Sequence, residues 1–213
     1  MIRFGAEHDT LPPMKTELWR IPRDVADTTS EAQFEERRWA LLSAEGDARA
    51  FRLIVERHHR GVYQFIARVV ATEADTEDIT QETFARAYVH MSRFDPTYRL
   101  STWLYRIALN LCRDHLRSAK RRERPVEPGS AALDSRDYVA GPEERAASQH
   151  EAARLDRALS KLPESYREVL ILKDLEDFSF QEIAEITGSS VTGLKIRAVR
   201  ARAAMRKQLG RTS

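Results

Sequence analysis

The chain reads as all-α, two small helical domains joined by a flexible linker. Three observations predict this. Apolar residues recur at spacings of three and four along most of its length, the mark of helices with one buried face. Strand-type alternation is nearly absent, and there is no internal repeat. One stretch, residues 125–142 (PVEPGSAALDSRDYVAGP), holds three prolines and two glycines with few large apolar groups, a linker composition. At 213 residues and 42% hydrophobic, the chain can build one or two modest cores.

Each element follows in order. Residues 1–30 carry Pro12, Pro13 and Pro22 without sustained periodicity and read as a mobile extension, with Met14 as an alternative start. A first domain spans 31–118. In it Phe51, Ile54, Val55, Val62, Phe65, Ile66 and Val69 form a core-facing stripe. The next helix, TEADTEDITQETFARAYVHM, opens on a candidate capping box of Thr72 and Asp75, with further acids suited to the positive helix end. Its buried stripe is expected at Ile79, Phe84, Ala87, Tyr88 and Met91. Pro96 then disfavours helical geometry at Asp95.

The stretch STWLYRIALNLCRDHLRSAKRR begins as a buried helix and ends as a solvated one. Leu104, Ile107, Ala108 and Leu111 make its apolar side, and Trp103 is expected in the core. Arg106, Asn110, Arg113, Asp114 and Arg117 share the opposite side. Six cations and two acids lie between Arg113 and Arg124, including Lys120 and Arg121. The linker is placed at 119–149.

A second domain, 150–213, follows with Leu155, Leu159, Leu162, Tyr166, Val169, Leu170 and Leu172 as apolar positions. Ala184, Gly188 and Leu194 then fall at the spacing of a helix-turn-helix. A small Ala184 lets the second helix cross closely, Gly188 permits positive φ in the turn, and Leu194 packs with Ala198, Ala201 and Met205. Ser190, Thr192, Lys195, Ile196, Val199 and Arg200 are left facing outward, where such a helix meets base edges. Gly193 lies inside that helix at a cost of about 1 kcal/mol relative to alanine, which a close backbone approach to DNA would justify. From Ser189 to Ser213 there are seven Lys or Arg and no acid.

Other classes are disfavoured. Net charge is only +2, so cations act through their distribution rather than their excess. Cys112 is the single cysteine, which excludes a disulfide framework and a multi-cysteine zinc site. Adjacent His58 and His59 point about 100° apart on a helix, a poor pair for one metal. No metal, cofactor or enzymatic activity is expected. No apolar run approaches the ~20 residues that span a bilayer, and the first residues lack the apolar core of a secretion signal. The expectation is a cytoplasmic protein without direct membrane insertion.

ITQETFARAYVHMSRFDPTYRLSTWLYRIALNLCRDHLRSAKRR closely resembles region two of bacterial sigma factors of the extracytoplasmic-function group. The shared residues are Asp78, Gln81, Glu82 and Phe84, then Phe94-Asp95-Pro96, then Trp103-Leu104, Ile107-Ala108, Asn110, Asp114 and Arg117. LSKLPESYREVLILKDLEDFSFQEIAEITG is similar to region four of the same group. The resemblance implies a transcription-initiation factor, often tied to stress responses, that binds core RNA polymerase and promoter DNA. Asp78, Gln81, Glu82 and Phe84 would dock on the coiled coil of the β′ subunit, with a further contact to the β subunit. A loop around Asp95, Tyr98 and Arg99, beside Asn110, would hold an unpaired base of the −10 element. A carboxamide suits that role because it both donates and accepts. Arg106, Arg113, Asp114, Arg117, Lys120 and Arg121 complete that surface, the cations holding phosphates. Region four would seat Thr192, Lys195, Ile196 and Arg200 in the −35 major groove, with Arg197 and Arg202 on the backbone.

The group's usual V-G-T-V-K-S-R is replaced by Val191-Thr192-Gly193-Leu194-Lys195-Ile196-Arg197. The scaffold survives this change, but relatives' base preference does not carry over. Relatives are often restrained by an anti-sigma protein, a further partner the resemblance implies. The rival reading is a stand-alone helix-turn-helix regulator that binds duplex DNA without polymerase.

Overall fold

The computed structural model describes residues 31–70, 72–121 and 152–210, and no strand occurs among them. The extension at 1–30, residues 122–149 of the linker and the first two residues of the second domain, 150–151, lie outside the described residues. The elements are α1 (Glu31–Ala44), α2 (Ala48–Val70), α3 (Glu73–Val89), a 3-10 turn (Met91–Arg93), α4 (Leu100–Arg121), α5 (152–160), α6 (Glu164–Leu170), α7 (Phe180–Thr187) and α8 (Val191–Gly210).

In the first half, α1, α3 and α4 pack around α2, whose Ile54, Val62, Phe65 and Ile66 are fully buried. Ile79, Phe84, Ala87 and Met91 are buried as the periodicity predicts, but Tyr88 is not: it stays 46% exposed, its ring edge on Phe51 at 4.9 Å. The expected capping box at α3 does not form. Thr72 sits at the N-cap without a capping bond and donates its hydroxyl to the Asp75 carboxylate. The Asp75 carboxylate accepts from that hydroxyl rather than from the Thr72 backbone N–H, and aspartate has a shorter arm than the glutamate or glutamine of a capping box.

Helix α4 is covered on more than one side. Trp103, Leu104, Ala108 and Leu111 are buried, as expected, and so are Tyr105, Leu109 and Cys112. Positions 104, 108 and 111 form one stripe; 105, 109 and 112 form a second beside it. The second exists because the two halves meet: α4 packs on α7, and a single hydrophobic cluster runs from α1 through α8.

A widened π turn, Ile171–Leu175, ends α6, closed by the Glu176 N–H donating to the Ile171 carbonyl at 2.9 Å. It delivers Glu176 and Phe178 against α4. Tyr105 packs between Phe65 (5.1 Å) and Phe178 (4.9 Å) and donates its hydroxyl to Glu176 Oε2 at 2.6 Å. Gly61 of α2 lies beneath that hydroxyl, where a Cβ would come within 2.7 Å of it. Arg167 ties the seam from the other side. It donates to the Val69 carbonyl of α2 at 2.8 Å and to the carbonyls of Leu159, Ser160 and Leu162 within its own half.

Candidate nucleic-acid interface

The helix-turn-helix is built as the sequence predicts. Ser179 and Glu182 form a reciprocal capping box at the start of α7. Gly188 ends that helix at φ 72°, and Leu194, Ala198, Ala201 and Met205 bury the inner side of α8. Thr192, Lys195, Ile196, Val199 and Arg200 are all exposed on its outer side, with Ile196 at 50% and Val199 at 66%. Two apolar side chains thus stand in water among cations on that side.

Two residues of this region have local duties. Ser190 Oγ accepts the Gly193 N–H at 3.2 Å and so caps α8, and a Cβ on residue 193 would press on that oxygen at 3.0 Å. Gly193 therefore has a reason inside the helix start, without reference to DNA. Arg197 is half-buried, reaching Ser189 Oγ at 3.5 Å. Arg202 is clamped on Asp174 by two bonds of 2.9 and 2.5 Å.

The α4 surface is arranged differently. Asp95 folds onto its own loop, accepting from the Thr97 N–H (2.9 Å) and hydroxyl (2.8 Å). Tyr98 is half-buried and Arg99 exposed. Asn110 is half-buried between Arg106 and Arg113 on one helix face. Asp114 and Arg117 pair with each other one turn apart, and Arg121 is exposed.

Acids of the second half reach this face, which the sequence did not reveal. Arg113 Nε and a terminal nitrogen hold the two Glu168 oxygens at 2.9 and 2.8 Å, a bidentate fork. Its other terminal nitrogen donates to the Thr187 carbonyl at 3.4 Å. Arg99 bonds Glu182 at 2.8 Å, and Lys120 bonds Glu164 at 2.8 Å. Glu185 faces Arg106; burial, then the neighbouring Glu182 charge, push its carboxyl up to about 7 against the pull of Arg106. The bond to Glu168 raises the Arg113 guanidinium further, outweighing its burial.

The third candidate surface lies on α3. Asp78, Gln81 and Glu82 are exposed there, with Glu82 paired to Arg86 at 2.6 Å. Phe84 belongs to the inside of the same helix, 7% exposed and stacked on His59. It supports that surface from beneath rather than forming it. His58 turns away from His59 towards α1, 3.6 Å from Glu36, and its burial lowers its pKa.

Comparison with known proteins agrees with this layout. The family model for sigma-70 region 2 matches residues 54–122, and that for sigma-70, region 4 matches residues 152–205. The chain is 36% identical over 172 residues to the ECF RNA polymerase sigma factor SigW of Bacillus subtilis (strain 168), covering 78% of this chain and 91% of that one. It is 31% identical over 169 residues to the ECF RNA polymerase sigma-E factor of Escherichia coli (strain K12), covering 76% and 87%. Among solved structures, CnrH in complex with the cytosolic domain of CnrY is similar at a TM-score of 0.65 and 31% identity, covering 84% of this chain and 99% of that one. Both family models, matched in this order along the two halves, and a relative 36% identical over 78% of the chain mean that the chain belongs to the sigma-70 family, in its extracytoplasmic-function group of RNA polymerase sigma factors.

Proposed function

We propose that this sigma factor reads two promoter elements with two separate surfaces, and that core polymerase sets the distance between them. The outer side of α8, with Thr192, Lys195, Ile196, Val199 and Arg200, reads the −35 element as duplex; Ser190 and Arg197 hold the helix start that presents it. Helix α4 and the loop before it meet the opening −10 element. There Asn110 reads a base edge with Asp95, Tyr98 and Arg99 nearby, and Arg106, Arg113, Arg117, Lys120 and Arg121 hold phosphates. Asp78, Gln81 and Glu82 on α3 dock on the β′ coiled coil. Residues 31–118 and 150–213 act as the two modules, with 119–149 between them.

The observation that carries this reading is the outer side of α8. Ile196 and Val199 stay in water beside Lys195 and Arg200 while Leu194, Ala198, Ala201 and Met205 of the inner side are buried. Apolar contact with thymine methyls and charged contact with guanine or phosphate need that combination. The chain supplies no catalytic chemistry, which belongs to the polymerase, and it works in the cytoplasm. No described helix is long and apolar enough to cross a membrane. CnrH was solved with the cytosolic domain of CnrY, and a protein partner of that kind, spanning both halves, fits this chain as well.

The test is transcription of fragmented source genome by core polymerase, with and without the protein, mapping new RNA starts. New starts sharing two spaced motifs are the expected result. No new starts, together with tight duplex binding in the absence of polymerase, would instead establish a stand-alone regulator.

A further inference from the structure

We propose that α8 discriminates bases by methyl contact: Thr192, Ile196 and Val199 read thymine methyl groups in the −35 element, while Lys195 and Arg200 hold phosphates on either side without reading sequence. The inference rests on the assignment of α8 to that element and deepens it.

The angular placement of the side chains carries it. At about 100° per residue, Thr192, Ile196 and Val199 fall within roughly 60° of one another and form one line down the outer side of α8. All three are exposed, opposite the buried Leu194, Ala198, Ala201 and Met205. Each carries a methyl group, and only Thr192 has a polar side-chain atom. Lys195 and Arg200, also exposed, stand about 70° to either side of that line. A helix with its side chains is about 10–12 Å across and the major groove about 12 Å wide. A line facing the groove floor therefore meets base edges, and groups turned that far aside meet the walls, where the phosphates are. From Thr192 to Val199 the helix rises about 10 Å, the length of about three base steps.

Chemistry then selects the base. Between Val191 and Arg206 there is no Asn, Gln, Asp or Glu, so the usual side-chain partners of adenine and cytosine are missing. Ile196 and Val199 neither donate nor accept, and against a purine edge or a cytosine amine they would leave polar groups unsatisfied. The one apolar projection in the major groove is the thymine methyl.

The test uses holoenzyme assembled from core polymerase and the full-length protein, bound to a promoter duplex taken from a mapped start. Each thymidine of the −35 element is replaced singly by deoxyuridine, which removes the methyl and keeps the hydrogen-bonding atoms. A thymidine in the spacer serves as control. One buried methyl is worth about fourfold in binding. Wild type should weaken by about that factor at one or more −35 positions and not at the spacer. With Ile196→Ser or Val199→Ser, the loss at one of those positions should disappear. Lys195→Gln and Arg200→Gln should weaken binding to every duplex and leave the uracil losses unchanged. All four positions are exposed, and melting curves verify that each variant folds.

Equal binding of thymidine and deoxyuridine duplexes by wild type would overturn the proposal, as would a Lys195 or Arg200 variant that changes the preferred base. So would Ile196→Ser losing core polymerase while keeping its uracil sensitivity, the mark of a protein contact. Scrambling the −35 element tests the underlying assignment separately. No effect of scrambling removes the assignment of α8 itself, whereas an effect of scrambling without one of uracil removes only the methyl readout. If no protein-dependent start is found, the same substitutions go into the duplex that the protein alone selects, and the same outcomes decide there.

Discussion

Alanine in place of Gly61 separates two effects of opposite sign. Within α2 the change favours the helix by about 1 kcal/mol. Against it stands Tyr105, whose Oη would lie 2.7 Å from the new Cβ. That oxygen cannot easily yield, because the ring packs on Phe65 and Phe178 at 5.1 and 4.9 Å and the hydroxyl is bonded to Glu176 at 2.6 Å. Moving it to ordinary contact breaks a hydrogen bond to a carboxylate, a loss of about 1.5–3 kcal/mol. The difference leaves Gly61→Ala about 0.5–2 kcal/mol less stable than wild type, and the thermal midpoint falls by a few degrees. Circular dichroism melts measure this directly. On a Tyr105→Phe background the offending oxygen is gone, and the nearest ring carbon stands 3.9 Å from the Cβ position. There the same alanine should raise the midpoint. An alanine that stabilises the wild type, or that has the same sign in both backgrounds, refutes the steric argument.

Three further outcomes follow from the geometry. Ser179→Ala removes a formed cap and should cost about 1 kcal/mol in urea denaturation, whereas Thr72→Ala, at a helix start with no capping bond, should cost clearly less; equal losses would contradict the assignment of the caps. Glu185, buried and with Glu182 and Arg106 beside it, is an acid raised from 4.5 to about 7. It therefore favours the folded form below 4.5, and that contribution is lost as pH climbs to about 7. Glu185→Gln should accordingly gain stability on wild type between pH 5 and pH 7.5 as read by paired melts, and parallel profiles would exclude the effect. Ile196→Ser on the outer side of α8 should change the preferred −35 sequence more than overall affinity, which a binding-site selection reads; a uniform loss on all sequences counts against a base-reading role.

Much of the second half was legible because its instructions are local. The inner stripe of α8 repeats at helical spacing, and Gly188 marks a positive φ that other residues resist. At the α3 start the sequence misled, because Thr72-x-x-Asp75 looks like a cap while the box that forms is Ser179-x-x-Glu182. The longer glutamate arm reaches back to the backbone, and aspartate instead captures the threonine hydroxyl. Tyr88 fell outside the core because its stripe runs out at the helix end, leaving Phe51 as its ring neighbour. Contacts across the seam carried no sequence signal at all. Arg113 and Glu168 lie 55 residues apart, and each alone reads as an ordinary solvated charge. The place of Tyr105 is likewise decided by Glu176 from the far half.

The seam's composition bears on how it can part. On separation the Val69 carbonyl, in the last turn of α2, regains access to water, while Arg167 keeps its three carbonyls within α5 and the turn after it. Glu164, Glu168 and Glu182 exchange guanidinium or ammonium partners for hydration, and so do the cations they release. The aromatic loss at the seam is chiefly the face shared by Tyr105 and Phe178. The polar groups of the join have an aqueous partner waiting, whereas the second apolar stripe of α4 (Tyr105, Leu109 and Cys112) would lose its cover. A join of this kind fixes one orientation through its ion pairs and is held shut by the apolar burial it shares with the core.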